Sequence, residues 1–304
     1  MLSQNDLQSW YARLGVPERT QLAIGHIRSS DPARHVRSGR SNVTGRYPSR
    51  KMGVTIQFES HRVELAAVYE LEHDAEVLEY WDQPDSIKLD YESAHGRHLG
   101  VFHTPDYFVI RRTEAGWEEC KTEEDLRRLT EQNPNRYCEE SSGRWRCPPG
   151  EAYARGFGLY YRVRSSRDIN WVFQRNIQFL EDYLRADSSG PATAVREAVL
   201  ALVSTRPGLT LSDLFDASEK VTDRDDVYWM IALGPLHVDL AASALVEPEK
   251  VRVFPYQPPA GSSRPVPTKA EGEYKERRPG LQPWQYTGVG WQKLEDCERR
   301  GQPD

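Results

Sequence analysis

The sequence predicts an α/β layered core followed by a small helical domain that carries a two-stranded β-wing. Three observations lead there. The stretch His103–Ile110 and the stretch Trp117–Lys121 are rich in aromatic and β-branched residues, and a polar segment ending in Gly116 separates them. That is the pattern of an antiparallel hairpin. Helix-period apolar runs flank it at Glu59–His73 and Asp168–Leu184. Beyond the break Ala186–Pro191, three short helical runs precede two apolar strand-like segments, Gly234–Leu240 and Val251–Phe254. Three short helices and a wing describe a winged helix, a module that reads DNA or docks protein.

Composition bounds what the chain can be. At 304 residues it has material for two domains. No apolar run approaches the roughly 18 residues that a membrane span needs, and Met1–Asp6 lacks the apolar stretch of a secretory signal. Four cysteines, Cys120, Cys138, Cys147 and Cys297, form no C-x-x-C pair. Reduced thiols and a cytoplasmic location are therefore expected. The net charge of -6 excludes a uniformly basic nucleic-acid coat, so local charge decides any DNA contact.

Taken in order, residues 1–53 form an N-terminal helical segment and a basic arm. Leu7, Trp10, Tyr11 and Leu14 fall at helical spacing within Leu7–Arg28, with Gly15 as a stop. Arg28, Arg34, Arg37, Arg40, Arg46, Arg50 and Lys51 follow, opposed only by Asp31 and broken by Gly39, Gly45, Pro48 and Gly53. This arm is either a phosphate-contacting element, with Arg40, Arg46, Arg50 and Lys51 as its DNA-binding residues, or a solvated surface.

Residues 54–186 make the α/β core. Val54–Phe58 is a strand, and Glu59–His73 is a helix with Ser60 as its N-cap. Val63, Ala67 and Leu71 form its apolar stripe, and Glu64 borders that stripe beside Val68 and Leu71. Glu76–Asp82 and Ser86–Tyr91 join the central hairpin in a mixed sheet of about four strands. Thr122–Arg128 opens a charged helix, Thr130–Pro149 is a polar insertion, and Gly158–Arg164 resumes as a strand. Trp171, Phe173, Ile177, Leu180 and Leu184 on the last helix close this core. Residues 187–256 are the winged-helix domain. Its candidate recognition helix carries Asp223, Asp225 and Asp226 against Arg224, which favours protein docking over groove insertion. Residues 257–304 are a Pro/Gly-rich linker and a tail with Trp284, Tyr286 and Trp291.

The chemistry concentrates on the hairpin. Alternation places Asp106, Phe108 and Ile110 on one face and pairs Glu119 with Lys121 on the second strand. Folding about the turn brings Asp106 level with the Glu119–Lys121 pair. Two carboxylates and an ammonium suit a hard divalent cation and an oriented water. Glu64, a carboxylate beside a buried stripe, is costly without a partner. A shared metal supplies one, and snorkelling to solvent is the plainer alternative.

Asp106 after Pro105, then Glu119-Cys120-Lys121, resembles the catalytic signature of the restriction-endonuclease-like nucleases, PD-(D/E)xK. Over Arg37 to Phe254 the chain resembles the TnsA-type endonuclease subunit of heteromeric cut-and-paste transposases. The motifs occur in one order: Ser38-Gly39-Arg40, Tyr47-Pro48-Ser49, Lys51-Met52-Gly53, Glu59-Ser60, Val63-Glu64-Leu65, Gln83-Pro84, Thr104-Pro105-Asp106, Glu119-Cys120-Lys121, Asp168-Ile169-Asn170 and Asn176. The resemblance implies a restriction-endonuclease-like mixed-sheet core and a Mg²⁺-dependent endonuclease, with Mn²⁺ as a substitute. Glu64, Asp106 and Glu119 would bind two Mg²⁺ ions, the Cys120 carbonyl would face a metal, and Lys121 would be catalytic. The implied task is nicking of the 5′ (non-transferred) strands at transposon ends. The implied partners are a TnsB-type DDE transposase and a TnsC-type AAA+ regulator. An independent restriction-like or repair nuclease on the same fold is the first alternative reading. A non-catalytic winged-helix DNA-docking protein is the second.

Overall fold

The computed structural model describes residues 1–34, 44–185, 190–256, 284–286 and 291–293. Its contacts divide the chain into Met1–Ile169 with Gly272–Asp304, and Asn170–Glu271. The division falls ahead of the break expected at residue 186. Both α and β elements build the first unit, a mixed α/β fold.

The first unit begins with two helices where the sequence suggested one segment. The first, α1 (Gln4–Leu14), is capped by the Ser3 hydroxyl and closed by Gly15 at φ 60, a left-handed conformation that suits glycine. Pro17 then starts α2 (Glu18–Ser29). Trp10 on α1 donates its indole N–H to the Arg111 carbonyl at 2.8 Å. Arg28 on α2 reaches Glu79, a fully buried carboxylate, at 2.8 Å. Arg28 therefore serves the core, and the basic stretch loses its first member. Next come the antiparallel pair β1 (Gly45–Ser49) and β2 (Val54–Phe58), so part of the supposed arm is a strand.

The helix α3 (Glu64–His73) starts five residues later than expected, and Ser60 is not its N-cap. Residues 61–63 form a turn that leads into it. After it come β3 (Val77–Asp82), β4 (Ile87–Glu92), β5 (His98–His103), β6 (Tyr107–Arg111) and β7 (Ala115–Lys121). Helix α4 (Glu123–Gln132), the short strands β8 (Cys138–Glu139) and β9 (Trp145–Arg146), helix α5 (Pro148–Arg155) and β10 (Tyr160–Ser165) complete the unit's main run. The segment read as a polar insertion is thus structured, and Tyr137, Trp145 and Cys147 within it are buried.

The central sheet has the order β10-β7-β6-β3, with β6 antiparallel to both neighbours and β10 parallel to β7. Four strands and a mixed sheet match the expectation, but the membership differs. The segment β4 pairs with β5 in a separate two-stranded sheet. Its place is taken by β10. Gly116 shows why that pairing needs glycine, since a Cβ there would sit 2.1 Å from the Tyr160 carbonyl. Strand β6 is covered on both faces, and Tyr107, Phe108, Val109 and Ile110 are each 0% exposed. Its continuous apolar run reflects double burial, not alternation.

The second unit holds α6 (Trp171–Arg185), α7 (Thr193–Thr205), β11 (Leu209–Thr210), α8 (Leu211–Ser218), α9 (Arg224–Ala232), β12 (Leu236–Val238) and β13 (Arg252–Pro255). The strands form an antiparallel sheet in the order β11-β13-β12. Its core gathers Leu180, Val199, Val203, Leu211, Leu214, Val227, Met230 and Val253. Helix α6, expected to close the first core, contributes Leu180 and its neighbours here. The Asn176 side chain fixes it in place. It donates to the carbonyls of Leu240 and Ser243 at 2.8 Å and accepts from the Leu245 N–H at 2.8 Å. The acidity of α9 also has a local purpose. Asp223 caps the helix through the Asp226 N–H, Asp225 accepts from the Tyr183 hydroxyl, and Arg224 lies over the Phe215 ring.

Of the expected linker and tail, only β14 (Trp284–Tyr286) and β15 (Trp291–Lys293), an antiparallel pair, lie within the described residues. Among the described residues no helix is long and apolar enough to cross a membrane.

Candidate active site

The hairpin β6–β7 pairs Tyr107 with Glu118 and Phe108 with Trp117. Asp106 sits one residue before β6, outside the strand to which the sequence assigned it. Its carboxylate accepts the Cys120 N–H at 2.7 Å, which ties it across the hairpin to the residue between Glu119 and Lys121. Its carbonyl accepts the Gln83 N–H at 2.9 Å. Gln83 is buried with φ 44, the only non-glycine at positive φ among the described residues. Left-handed backbone is uncommon for such a residue and is kept where surrounding contacts over-determine it. Here it turns the chain so that β3 hands over to the separate β4–β5 sheet while holding Asp106.

Glu64 enters as the first residue of α3. Its carboxylate accepts the Glu59 N–H at 2.7 Å, and the residue is buried at 7% exposure. The alternative of a glutamate snorkelling to solvent is set aside. Burial first, then repulsion from Asp106, pushes its carboxyl from an ordinary 4.5 up to about 8. Asp106 is raised too. Burial dominates, Glu119 adds repulsion, and Lys121 and the Cys120 N–H pull the other way.

Glu119 has the opposite character. It is 0% exposed, yet four groups converge on it. The Lys121 ammonium lies 2.8 Å from Oε1. The Tyr137 hydroxyl donates to Oε1 at 2.9 Å and the Tyr161 hydroxyl to Oε2 at 2.7 Å. His103 Nε2 lies 3.2 Å from Oε1 without the alignment of a hydrogen bond. Burial works against ionisation, but Lys121 and His103 outweigh it and hold the carboxyl well below the usual range. For Lys121 burial is again opposed and overcome, by Glu119 and then Asp106, so the ammonium stays charged. Strand alternation turns Glu118 away from this cluster. Arg111 and Arg164 bind Glu118 at 3.0 and 2.9 Å, and Arg162 lies 3.4 Å away.

Of the residues named from the sequence, Asp106 is tied to the Cys120 N–H and Lys121 to Glu119, while Glu64 feels the charges of Asp106 and Lys121. Sequence reasoning missed roles for His103, Tyr137 and Tyr161. Tyr161 pairs in register with Trp117, two residues before Glu119, so it shares that face of the sheet. The sequence could have shown this only once β10 was placed beside β7. Nothing in the sequence marked Tyr137, which reaches the site from the segment between α4 and β8.

The DNA-binding set is not all brought to the surface. Lys51 donates its ammonium to the carbonyls of Leu71 and Asp74, at 2.6 and 2.7 Å, and so satisfies the C-terminal end of α3. Lys51 itself is half-buried. Arg50 is exposed in the turn after β1, Arg46 is half-buried on β1, and Arg40 lies outside the described residues.

Can the cluster hold a metal? Among the described residues, no three His, Cys, Asp or Glu side chains are grouped so that they could hold an ion. The donor chemistry divides the set. Asp106 repels Glu64 under burial, a repulsion that a hard divalent cation would relieve. Glu119 already accepts from Lys121 and two tyrosines, three of about four acceptor positions on a carboxylate.

Glu64 sets a pH dependence. Its carboxyl titrates near 4.5 unfolded and near 8 folded, so the folded state holds an extra proton between those values. That stability is complete below about pH 4.5 and is lost as pH rises toward about 8. The chelator-treated protein should therefore melt lower at pH 8 than at pH 5, by an effect of up to ~4 kcal/mol. Glu64→Gln should remove most of that slope. Parallel slopes for the two proteins would place the titrating group elsewhere.

No protein-family model matches this chain, and no curated protein shows significant similarity to it.

Proposed function

We propose that this chain is a metal-dependent DNA endonuclease, the subunit of a heteromeric transposase that nicks the 5′ strands at transposon ends. The observation that carries the reading is the Glu119–Lys121 ion pair on one hairpin, with Asp106 tied across it to the Cys120 N–H and Glu64 at the start of α3 feeling the charges of Asp106 and Lys121. The motif order from Ser38 to Asn176, similar to the TnsA-type subunit, supports the substrate and the role. In this reading the first unit is a restriction-endonuclease-like domain and the second a winged helix.

Glu64 and Asp106 would hold Mg²⁺, which when bound supplies a more acidic water and a counter-charge for the scissile phosphate. Lys121, kept charged by Glu119, directs an N–H toward the attacked phosphoryl oxygen and offsets charge as it develops there. Glu64 and Asp106 must both be ionised for this, which loading the pair with a cation favours. Arg50, Arg46 and Arg40 grip the DNA backbone. The second unit docks protein, an AAA+ regulator in this reading. Its α9 acids are engaged in capping and side-chain bonds, and its Arg224 is turned onto Phe215.

The test exploits division of labour. A TnsB-type partner joins the 3′ strands by itself, so loss of the 5′ cut should leave donor and target fused. Lys121→Ala, with the proteins of the neighbouring reading frames and a donor plasmid, should yield cointegrates where wild type yields simple insertions. Long-read sequencing of the products reads the outcome. Simple insertions from both would remove Lys121 from the 5′ cut. Double-strand cleavage by the purified chain alone would favour the independent nuclease.

A further inference from the structure

We infer that Arg136 binds a backbone phosphate of the DNA strand that runs past the Glu119–Lys121 pair, and so positions the substrate at the hairpin. The contact rests on the endonuclease reading and adds to it a substrate-binding residue from the segment that the sequence showed only as a polar insertion.

Arg136 is half-buried. Among the described residues its side chain makes no hydrogen bond and no ion pair, and its buried Nε has no acceptor. Arg111 and Arg164, half-buried in the same unit, each hold two carboxylates. Burying part of a cation without such a partner is costly. A water can satisfy the Nε donor but not the charge, so the empty guanidinium suits an anion that arrives from outside. Its surroundings keep it ready. Burial works against the charge, Tyr137 and then Glu119 favour it, and the guanidinium stays protonated.

Its place in the fold names the anion. The guanidinium carbon lies 5.1 Å from the centre of the Tyr137 ring, and the Tyr137 hydroxyl donates to Glu119 Oε1 at 2.9 Å. Arg136 therefore stands one phenol ring away from the carboxylate that pairs with Lys121. A strand whose scissile phosphate meets Lys121 carries neighbouring phosphates past this point. Each offers two free oxygens, which the planar fork of an arginine matches better than a point charge does. The arm is also built in advance. The N–H groups of Arg136 and Tyr137 both bond to the Asn133 carbonyl, at 2.9 and 3.2 Å. The Asn135 side chain donates to the Glu92 carbonyl at 2.9 Å, which ties this turn to the end of β4. Pro134 restricts the backbone between them. A turn held in this way has little freedom left to lose when the phosphate binds.

The test compares DNA binding, melting and nicking in the full-length protein. Wild type, Arg136→Gln and Arg136→Lys are titrated across a salt series with a fluorescein-labelled duplex carrying the transposon end. Nicking of the same duplex is measured with the partner transposase present. Arg136→Gln should bind about tenfold more weakly, the worth of one charge-assisted hydrogen bond. Its salt dependence should flatten by about one unit of slope. Its nicking should fall at low DNA concentration and recover toward wild type at saturation. Arg136→Lys keeps the charge but not the fork, so its slope should match wild type while binding weakens by about threefold. Wild-type affinity and slope for Arg136→Gln would overturn the inference, and nicking by wild type would leave the endonuclease reading intact. A lower melting temperature with an unaltered slope would make Arg136 a structural residue and overturn it as well. Failure of wild type both to bind and to nick would overturn both readings. Should Arg136→Gln fail to fold, Arg136→Lys decides alone, and wild-type affinity in that variant would overturn the inference.

Discussion

Asp106→Asn is expected to lower end-nicking on the order of 10³-fold while the protein still folds, the range seen when one charge-stabilising group is removed from a reacting centre. The asparagine side-chain oxygen can still accept the Cys120 N–H that Asp106 accepts at 2.7 Å, so the cross-hairpin tie survives. What is lost is the negative charge. Without it the repulsion that helps push Glu64 up to about 8 disappears, and Glu64 ionises more readily. The metal-free variant should therefore melt at or above wild type at pH 8, and added Mg²⁺ should stabilise it less than it stabilises wild type. Nicking measured with the partner transposase, together with melting with and without Mg²⁺, checks both halves. Nicking at the wild-type rate would remove Asp106 from the site.

The largest stability effect is expected at Glu118, on the face of β7 opposite Glu119 and Lys121. Glu118 is fully buried and bound by Arg111 and Arg164, with Arg162 at 3.4 Å and the Tyr160 hydroxyl donating at 2.8 Å. Burial alone would raise its carboxyl, but the arginines, Arg164 first, outweigh it and hold it at about 2. Glu118→Gln keeps the shape and removes the charge, leaving buried guanidinium groups short of a counter-ion. Breaking a buried ionic network from one side costs about 3–5 kcal/mol. For a domain of this size that lowers the melting temperature on the order of 10 °C. All three arginines keep second partners, Arg111 with Asp74, Arg162 with Glu114 and Arg164 with Glu70, which holds the loss toward the lower end. Calorimetry at neutral pH measures it. A loss under about 1 kcal/mol would mean that solvent reaches the network and screens it.

The contrast between Glu118 and Glu119 explains why the site was only partly legible. Period-two alternation in Trp117–Lys121 assigns Glu119 and Lys121 to one face whatever the sheet looks like. The apolar stripe on α3 likewise marked Glu64 as a carboxylate in a costly place. Local pattern therefore found the charged groups. It could not find Tyr137 or Tyr161, because their neighbours in space are far away in sequence and a tyrosine in a polar or aromatic stretch carries no distinguishing signal. Nor could it tell Lys51 from Arg50. Both are cations in one short basic run, and only the carbonyls at the end of α3 engage the Lys51 ammonium.

The same division holds for the fold. Helix-period and strand-period runs, with Gly15 and Gly116 as punctuation, determined that the first unit is α/β and that a hairpin carries Asp106 opposite Glu119. These are short-range properties, set by which side chains can face a core from one element. Only the tertiary structure decided that β4 leaves the main sheet and that β10 enters it beside β7. Strand partnership depends on which edge a later segment can reach, and at Gly116 on a contact too close for any Cβ. Only the tertiary structure decided, too, that α6 belongs to the second core, since its apolar stripe fits either one by pattern. And only there does Glu119 gather Lys121, Tyr137 and Tyr161 while burial raises the Glu64 and Asp106 carboxyls: partners and burial are sums over everything that surrounds a carboxylate, and most of those surroundings come from other parts of the chain.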